Sequence, residues 1–423
     1  MNNMELIRQM PEMLSGQALY EKLADIPAYS EEIREKSQTE RLIELSTLYE
    51  IYLPSEMSIE IYSKLYLALL RSLQKKGTNT AVQQSYQNHN AIMRRENRGI
   101  IGGSDSFSIV GCSGIGKSSA INRAISIITQ DKMIELHNPS TRIIPALIVQ
   151  CPWDASVKSL LFEILRKSDE LLETNYYGNA LKARATTDVL IGIVSQVALQ
   201  HIGLLIIDEV QNCVASKSGK GLVAMLTQLI NSSGISIGMI GTPETLSLFE
   251  SAFQLARRSL GLQYNALNND EFFSGFCKLL FKYQYVQKKV EITEQMVDWL
   301  YEHSGGVTSI VVSLIHDAQE IAILNGKEEI TIETLNDAYN SRMQFMEQYI
   351  QPVVKKASAK KQAQNRTVTV QTHNEVKEVS MKDLLKKRCE VEFRSVQELV
   401  DWTKEHGRDV VEILQDFCAV EVV

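Results

Sequence analysis

Gly111-Cys112-Ser113-Gly114-Ile115-Gly116-Lys117-Ser118 satisfies the pattern G-x-x-x-x-G-K-[ST] at every fixed position, and the rest of the chain reads outward from it. Glycines at 111, 114 and 116 let the backbone take positive φ and turn its N–H groups inward around a polyphosphate. Lys117 is placed to reach the β- and γ-phosphates and the Ser118 hydroxyl to ligate Mg²⁺, with Ser119 completing the phosphate-contact run. The flanks supply the context that the pattern needs. Phe107-Ser108-Ile109-Val110 is a short apolar, β-rich strand, and Ala120-Ile121-Asn122-Arg123-Ala124-Ile125 continues a helix whose positive dipole end faces the same anion.

A second chemical stretch follows about ninety residues later. Leu204-Leu205-Ile206-Ile207-Asp208-Glu209 is four apolar residues and then two carboxylates, which describes a buried strand delivering acids to its carboxyl end. Asp208 is expected to hold Mg²⁺, and Glu209 to polarise an attacking water as general base. Ile235-Ser236-Ile237-Gly238-Met239-Ile240 is the next strand, ending in Gly241-Thr242-Pro243-Glu244. Thr242 is a candidate for the lytic water or the γ-phosphate, and equally suits a helix N-cap before Pro243. The helix read from Leu246 to Arg258 ends in Arg257-Arg258, cations that favour a helix C-terminus or, more sharply, supply an arginine finger to a neighbouring subunit.

Composition narrows the class. The 423 residues are 44% hydrophobic and 22% charged, the balance of a soluble globular protein of two to three domains. No apolar run approaches the roughly 20 residues of a spanning helix, so a cytoplasmic protein with no membrane partner is expected. The six cysteines are scattered without a C-x-x-C pair, which suggests neither a zinc site nor a disulfide framework. A net charge of −7 argues against coating nucleic acid with the whole surface, and leaves room for a local basic patch.

Taken in order, residues 1–100 read as an N-terminal arm followed by helices. Positions 1–30 are broken by Pro11, Gly16 and Pro27; then Leu42, Leu45, Leu48 and Tyr49 mark one helix, and Ile59, Tyr62, Leu65, Tyr66, Leu69 and Leu73 a second that would pack on it. Tyr49, Tyr52, Tyr62 and Tyr66 suit packing or a partner. Gly77 to Gly103 reads as a polar connector that could cover the base, touch a neighbouring subunit or stay solvated. Residues 101–268 form the α/β nucleotide-binding core, with a strand at Ile143–Gln150, a helix from Trp153 to Lys167, an exposed excursion from Thr174 to Thr187 and a helix over Val189–Leu199. Alternating strands and helices imply a parallel sheet covered on both faces. Residues 269–352 read as a helical lid, 353–389 as a basic linker, with Gln362 to Thr372 at its centre, and 390–423 as a small acidic docking segment with helices over Ser395–Lys404 and Asp409–Phe417.

The chain resembles the AAA+ ATPases of the TnsC/TniB kind, regulators of target choice in DNA transposition in Tn7-like elements. The resemblance rests on Gly111–Ser118, on Val149-Gln150-Cys151-Pro152-Trp153-Asp154-Ala155-Ser156-Val157-Lys158-Ser159-Leu160 leading into Glu173-Thr174-Asn175-Tyr176-Tyr177, and on Leu204–Glu209. It also rests on Ser304-Gly305-Gly306-Val307-Thr308-Ser309, Ala318-Gln319-Glu320-Ile321-Ala322 and Glu329-Ile330-Thr331, and it spans residues 35–352. It implies an AAA+ P-loop core followed by a helical lid, ATP and Mg²⁺ as ligands, and self-assembly as a ring or helical filament on duplex DNA. It further implies that a target-selection protein and transposase subunits are partners, and that ATP hydrolysis to ADP and phosphate resets the assembly. Initiator-type relatives carry an arginine in the lid helix where this chain reads Val307-Thr308-Ser309-Ile310, so no lid arginine is expected at the nucleotide. For DNA contact, Lys158, Arg166, Lys167, Lys182 and Arg184 are the candidates, by phosphate contacts with little sequence preference. The competing readings are a signalling nucleotide switch and a replication- or secretion-type ATPase built on the same core.

Overall fold

The computed structural model describes residues 3–93, 99–102, 106–137, 140–154, 156–213, 219–246, 261–343, 367–372 and 375–380. Its centre is a six-stranded sheet in the order β2-β3-β4-β5-β1-β6, formed by β1 (Phe107–Gly111), β2 (Ile134–His137), β3 (Ser140–Gln150), β4 (Ile202–Asp208), β5 (Ser236–Gly241) and β6 (Leu262–Tyr264). All pairs are parallel except β2 with β3.

β4 shows why the strand was legible. Residues alternate between faces, so Leu205 and Ile207 enter the core under one helical layer, while Leu204 and Ile206 enter the core under the other. All four are at most 1% exposed, and each buried side chain contributes roughly 2 kcal/mol to the fold. A strand buried on both faces has no polar positions to alternate, and reads as a continuous apolar run.

One face is covered by α7 (Val157–Leu172), α9 (Thr187–His201) and α10 (Gly219–Ser233), and the other by α4 (Glu56–Lys76) and α6 (Lys117–Thr129). The short α1 (Asn3–Arg8) and α2 (Gly16–Leu23) join the second face, burying Leu6, Leu19 and Leu23. Residues 3–23 are therefore part of the core rather than an arm outside it; helices this short carry too few turns for an apolar stripe to register. The Gln9 side-chain amide donates to the Glu135 carbonyl at 2.7 Å and accepts from its N–H at 3.1 Å, satisfying backbone of the edge strand β2 as another strand would.

The two helices read after residue 30 pack on different partners. The first is α3 (Gln38–Glu44), continued by a 3-10 turn, and it rests on the lid; α4 rests on α6 and the sheet. The tyrosines largely serve this packing. Tyr62 OH accepts the Leu14 N–H, Tyr66 OH donates to the Pro11 carbonyl, and the Arg123 guanidinium lies 4.7 Å from the Tyr52 ring.

Two segments read as irregular are helical. Most of the polar connector is α5 (Asn79–Ile92), whose buried side includes Gln84 and Asn88. Gln84 accepts the N–H groups of Ile100 and Ile101 and donates to Asn88, which donates to the Ser232 carbonyl. A helix held inward by amides lacks the apolar period that sequence reading uses. The excursion after α7 contains α8 (Tyr176–Lys182), whose first N–H groups, on Tyr176 and Tyr177, donate to the Asp169 carboxylate at 2.8 and 2.7 Å.

The lid comprises α11 (Glu271–Leu280), α12 (Glu294–Ser304), α13 (Thr308–Leu324) and α14 (Ile332–Ala338), with α13 central. Residues 25–50 run along it. Arg41, 2% exposed, donates to both Glu328 carboxylate oxygens at 2.6 and 2.7 Å and to the Tyr285 carbonyl at 2.8 Å. Tyr29 OH donates to the Gln284 carbonyl, Tyr283 OH to that of Pro27, and Gln38 to that of Ile323. No single described helix is long and apolar enough to cross a membrane; α12 and α13 are apolar in sum but meet at a 120° bend.

The chain divides into two compact units, Met1–Gln351 and Pro352–Val423. Within the second, β7 (Thr367–Thr372) and β8 (Glu375–Ser380) pair antiparallel, where a linker is read from sequence over Gln362 to Thr372. Thr-Val-Thr-Val alternates with the period of a strand, a signal that the surrounding basic composition outweighs in a compositional reading. The helices read over Ser395–Lys404 and Asp409–Phe417 lie outside the described residues.

Candidate nucleotide site

The site lies along the carboxyl ends of β1, β5 and β4, which are adjacent in that order. β1 delivers the loop Gly111–Gly116, β4 delivers Asp208 and Glu209, and between them β5 delivers Thr242. Gly116, at φ +92°, is the N-cap of α6. The Ala120 N–H bonds to the Gly116 carbonyl at 2.9 Å, so the N–H groups of Lys117, Ser118 and Ser119 precede the helix's own ladder and face the loop. Orphan donors at a positive helix end, beneath a glycine-shaped loop, fit a polyphosphate.

The Lys117 ammonium is folded back, donating to the carbonyls of Gly111 at 2.7 Å and Cys112 at 2.8 Å. Burial pushes its pKa down, and the negative charge of Asp208 works against that shift. The Ser118 hydroxyl donates to Asp208 Oδ2 at 3.1 Å, although 90 positions separate them. A hydroxyl and a carboxylate converging beside the phosphate loop form an oxygen donor set suited to Mg²⁺, a hard cation. Glu209 is exposed, with its backbone at φ +59°, a region that non-glycine residues seldom occupy. Its N–H donates to Asp208 Oδ1 at 2.8 Å.

The lid closes on the loop itself. The Ser309 N–H and the Thr308 hydroxyl both donate to the Gly114 carbonyl, at 3.1 and 3.0 Å. Gly114 is at φ +80°, and a Cβ there would stand 2.3 Å from Ser309 Oγ. Hydroxyl residues thus occupy the start of α13, where the sequence carries no arginine.

Thr242 caps the 3-10 turn Pro243–Thr245, but its hydroxyl donates to Glu244 at 3.3 Å rather than into the turn. Arg257 and Arg258 lie outside the described residues. Of the basic candidates for DNA, Arg166 donates to Glu163 at 2.7 Å and to Glu170 at 3.5 Å, and Lys167 donates to the Ile148 carbonyl at 2.9 Å. Lys158 is exposed, 5.8 Å from the Phe162 ring, and Lys182 and Arg184 are exposed around the end of α8. In the lid, His316, Asp317 and Glu320 are close enough to share an ion, yet Arg342 donates to both carboxylates, at 3.0 and 2.5 Å, and already supplies the positive charge there.

Three contributors escaped the sequence reading. Gln211 makes contacts to both Glu209 and Thr242. Thr308 and Ser309 are visible in sequence only as part of a glycine-led helix start, and nothing local predicts that they meet Gly114.

Residues 100–249 match the AAA domain family. The core is therefore an AAA-type P-loop domain, in an α/β AAA+ fold followed by helices. No curated protein matches the sequence. Among solved structures, the chain is similar to the Aeropyrum pernix ORC1 protein in complex with DNA, at 11% identity and a TM-score of 0.38, over 62% of this chain and 64% of that one. It is also similar to domain III of the Thermotoga maritima replication initiation protein DnaA, at 13% identity and a TM-score of 0.35, over 62% and 92%. A Thermotoga maritima RuvB mutant gives 13% identity and a TM-score of 0.34, over 74% and 95%. The chain thus spans a little under two thirds of the ORC1 structure, and likenesses at these TM-scores do not extend to function.

Proposed function

We propose that this protein is an ATPase that acts as a nucleotide-dependent regulator of DNA transposition, assembling on duplex DNA with ATP and resetting on hydrolysis. The observation that carries the ATPase reading is the convergence of Lys117, Ser118, Asp208 and Glu209 at the head of α6. The transposition reading rests on the sequence resemblance to the TnsC/TniB kind.

In this reading the N–H groups at the start of α6 and the Lys117 ammonium bind the phosphates, Lys117 exchanging its loop carbonyls for phosphate oxygens. Ser118 and Asp208 would hold Mg²⁺, which would supply neutralisation of phosphate charge. Glu209 takes the proton of the attacking water, and Thr242 orients that water or senses the γ-phosphate. Arg257 or Arg258 completes the site of a neighbouring subunit, which couples hydrolysis to assembly. Lys158, Lys182 and Arg184 offer exposed charge to DNA phosphates, while Arg166 would first have to leave its carboxylates. Transposase subunits and a target-selection protein are the partners.

The test is ATP hydrolysis and particle size, with and without duplex DNA, for the full chain and for Lys117→Ala and Glu209→Gln. ATP and DNA together should drive assembly, Lys117→Ala should abolish it, and Glu209→Gln should retain it with only a residual rate of turnover. A protein that hydrolyses ATP but stays monomeric and indifferent to DNA at low salt would favour the signalling switch; a protein that binds no ATP would remove the reading altogether.

A further inference from the structure

We infer that Gln211 is the positioning residue for Glu209, and that it ties that carboxylate to the end of β5. This rests on the reading of Glu209 as general base. Gln211 lies in the 3-10 turn Val210–Cys213, directly after the Asp-Glu pair. The turn is fixed at three points. Val210 is fully buried in the core, the Asn212 N–H donates to the Glu209 carbonyl at 3.0 Å, and the Asn212 amide donates to the Cys151 carbonyl at 3.0 Å.

From this fixed base the Gln211 side chain spans two strand ends. Its Nε2 donates to Glu209 Oε2, and its Oε1 accepts the Thr242 N–H at 3.3 Å. The orientation is forced by chemistry: turned over, the amide would set oxygen against carboxylate and N–H against N–H. Gly241 leaves the space that this requires, since a Cβ there would stand 3.0 Å from Gln211 Oε1. A side-chain amide presents a donor and an acceptor on one rigid plane, whereas Glu is acceptor-only and Met is neither.

The consequence is a mechanical link. A shift of the Thr242 backbone, at the strand end that lies between the phosphate loop and Glu209, moves the amide plane and with it the carboxylate. One Glu209 oxygen is held by the amide and the other is left for water. Gln211 does not act on the nucleotide; it decides where the base points.

Gln211→Met and Gln211→Glu test this in the full chain, by steady-state ATP hydrolysis together with ATP affinity and thermal midpoint. Both should lower kcat by about 10- to 100-fold, the worth of one charge-assisted hydrogen bond, with KM within about twofold of wild type. Gln211→Glu keeps an acceptor for Thr242 but sets a second carboxylate against Glu209 in place of the donor, so like-charge repulsion adds to the lost hydrogen bond and its loss should be the larger of the two. In a Glu209→Gln background, Gln211→Met should change the residual rate by less than about twofold, since the base that it positions is gone. A wild-type kcat in Gln211→Met, or an equal loss in both backgrounds, overturns the inference. If instead Glu209→Gln itself turns over ATP like wild type, the assignment of the base has failed, whatever Gln211 does.

Discussion

Arg41→Met is expected to loosen the lid. Arg41 carries three hydrogen bonds, two to Glu328 and one to the Tyr285 carbonyl, with its side chain 2% and that of Glu328 15% exposed. Methionine fills much of the stem's volume and removes the charge. Glu328 is then left with the Gln287 N–H at 3.1 Å and a narrow opening to water. Breaking a buried pair by deleting one partner costs about 3–5 kcal/mol, and the opening places this case near the lower end, at about 3 kcal/mol. The cost has a sign in pH. The hydrogen bond from Arg41 is the main cause that holds the Glu328 carboxyl below its ordinary 4.5, so the pair stabilises the fold above that value and the contribution is lost as pH falls through the depressed one. The assay is urea unfolding of wild type and variant from pH 7 down to pH 3. A gap of about 3 kcal/mol at neutral pH that closes below about pH 4.5 is expected. A neutral-pH gap under about 1 kcal/mol, or one that widens in acid, would refute the reasoning.

Two further outcomes concern other parts of the molecule. The Lys76 ammonium donates to the Ala198 and Leu199 carbonyls at the end of α9, and burial pushes its pKa down to about 7. The unfolded chain binds that proton up to about pH 10, so wild type should gain about 2 kcal/mol on Lys76→Met between pH 7 and pH 9, measured by paired denaturant titrations; a flat difference would show the lysine to be solvated. Gly114→Ala forces a side chain into a left-handed backbone and against Ser309, so nucleotide affinity should fall by about tenfold while amide exchange rises at the start of α13. Wild-type protection of residues 307–312 in that variant would argue against lid docking through the loop.

The sequence by itself determined the parts whose physics is local. A loop that must cradle phosphate needs glycine at set positions, and a strand covered on both faces must be apolar throughout, so Gly111–Ser118 and Leu204–Glu209 are legible without a partner in view. β1, β3, β4 and β5, and the helices α6, α7 and α9, follow from the same rules. What only tertiary structure decided is where distant polar groups meet. Arg41 and Glu328 are 287 positions apart, Ser118 and Asp208 are 90 apart, and Thr308 meets Gly114 across 194. A hydrogen bond leaves no period in the sequence, because one donor and one acceptor suffice and either residue type suits many other settings. The same reason hid α5, whose inner face is held by Gln84 and Asn88, and Gln211, an ordinary polar turn residue until the fold sets β5 beside it. Apolar burial repeats along an element and is written into its spacing; polar pairing happens once, and the fold must bring its two halves together.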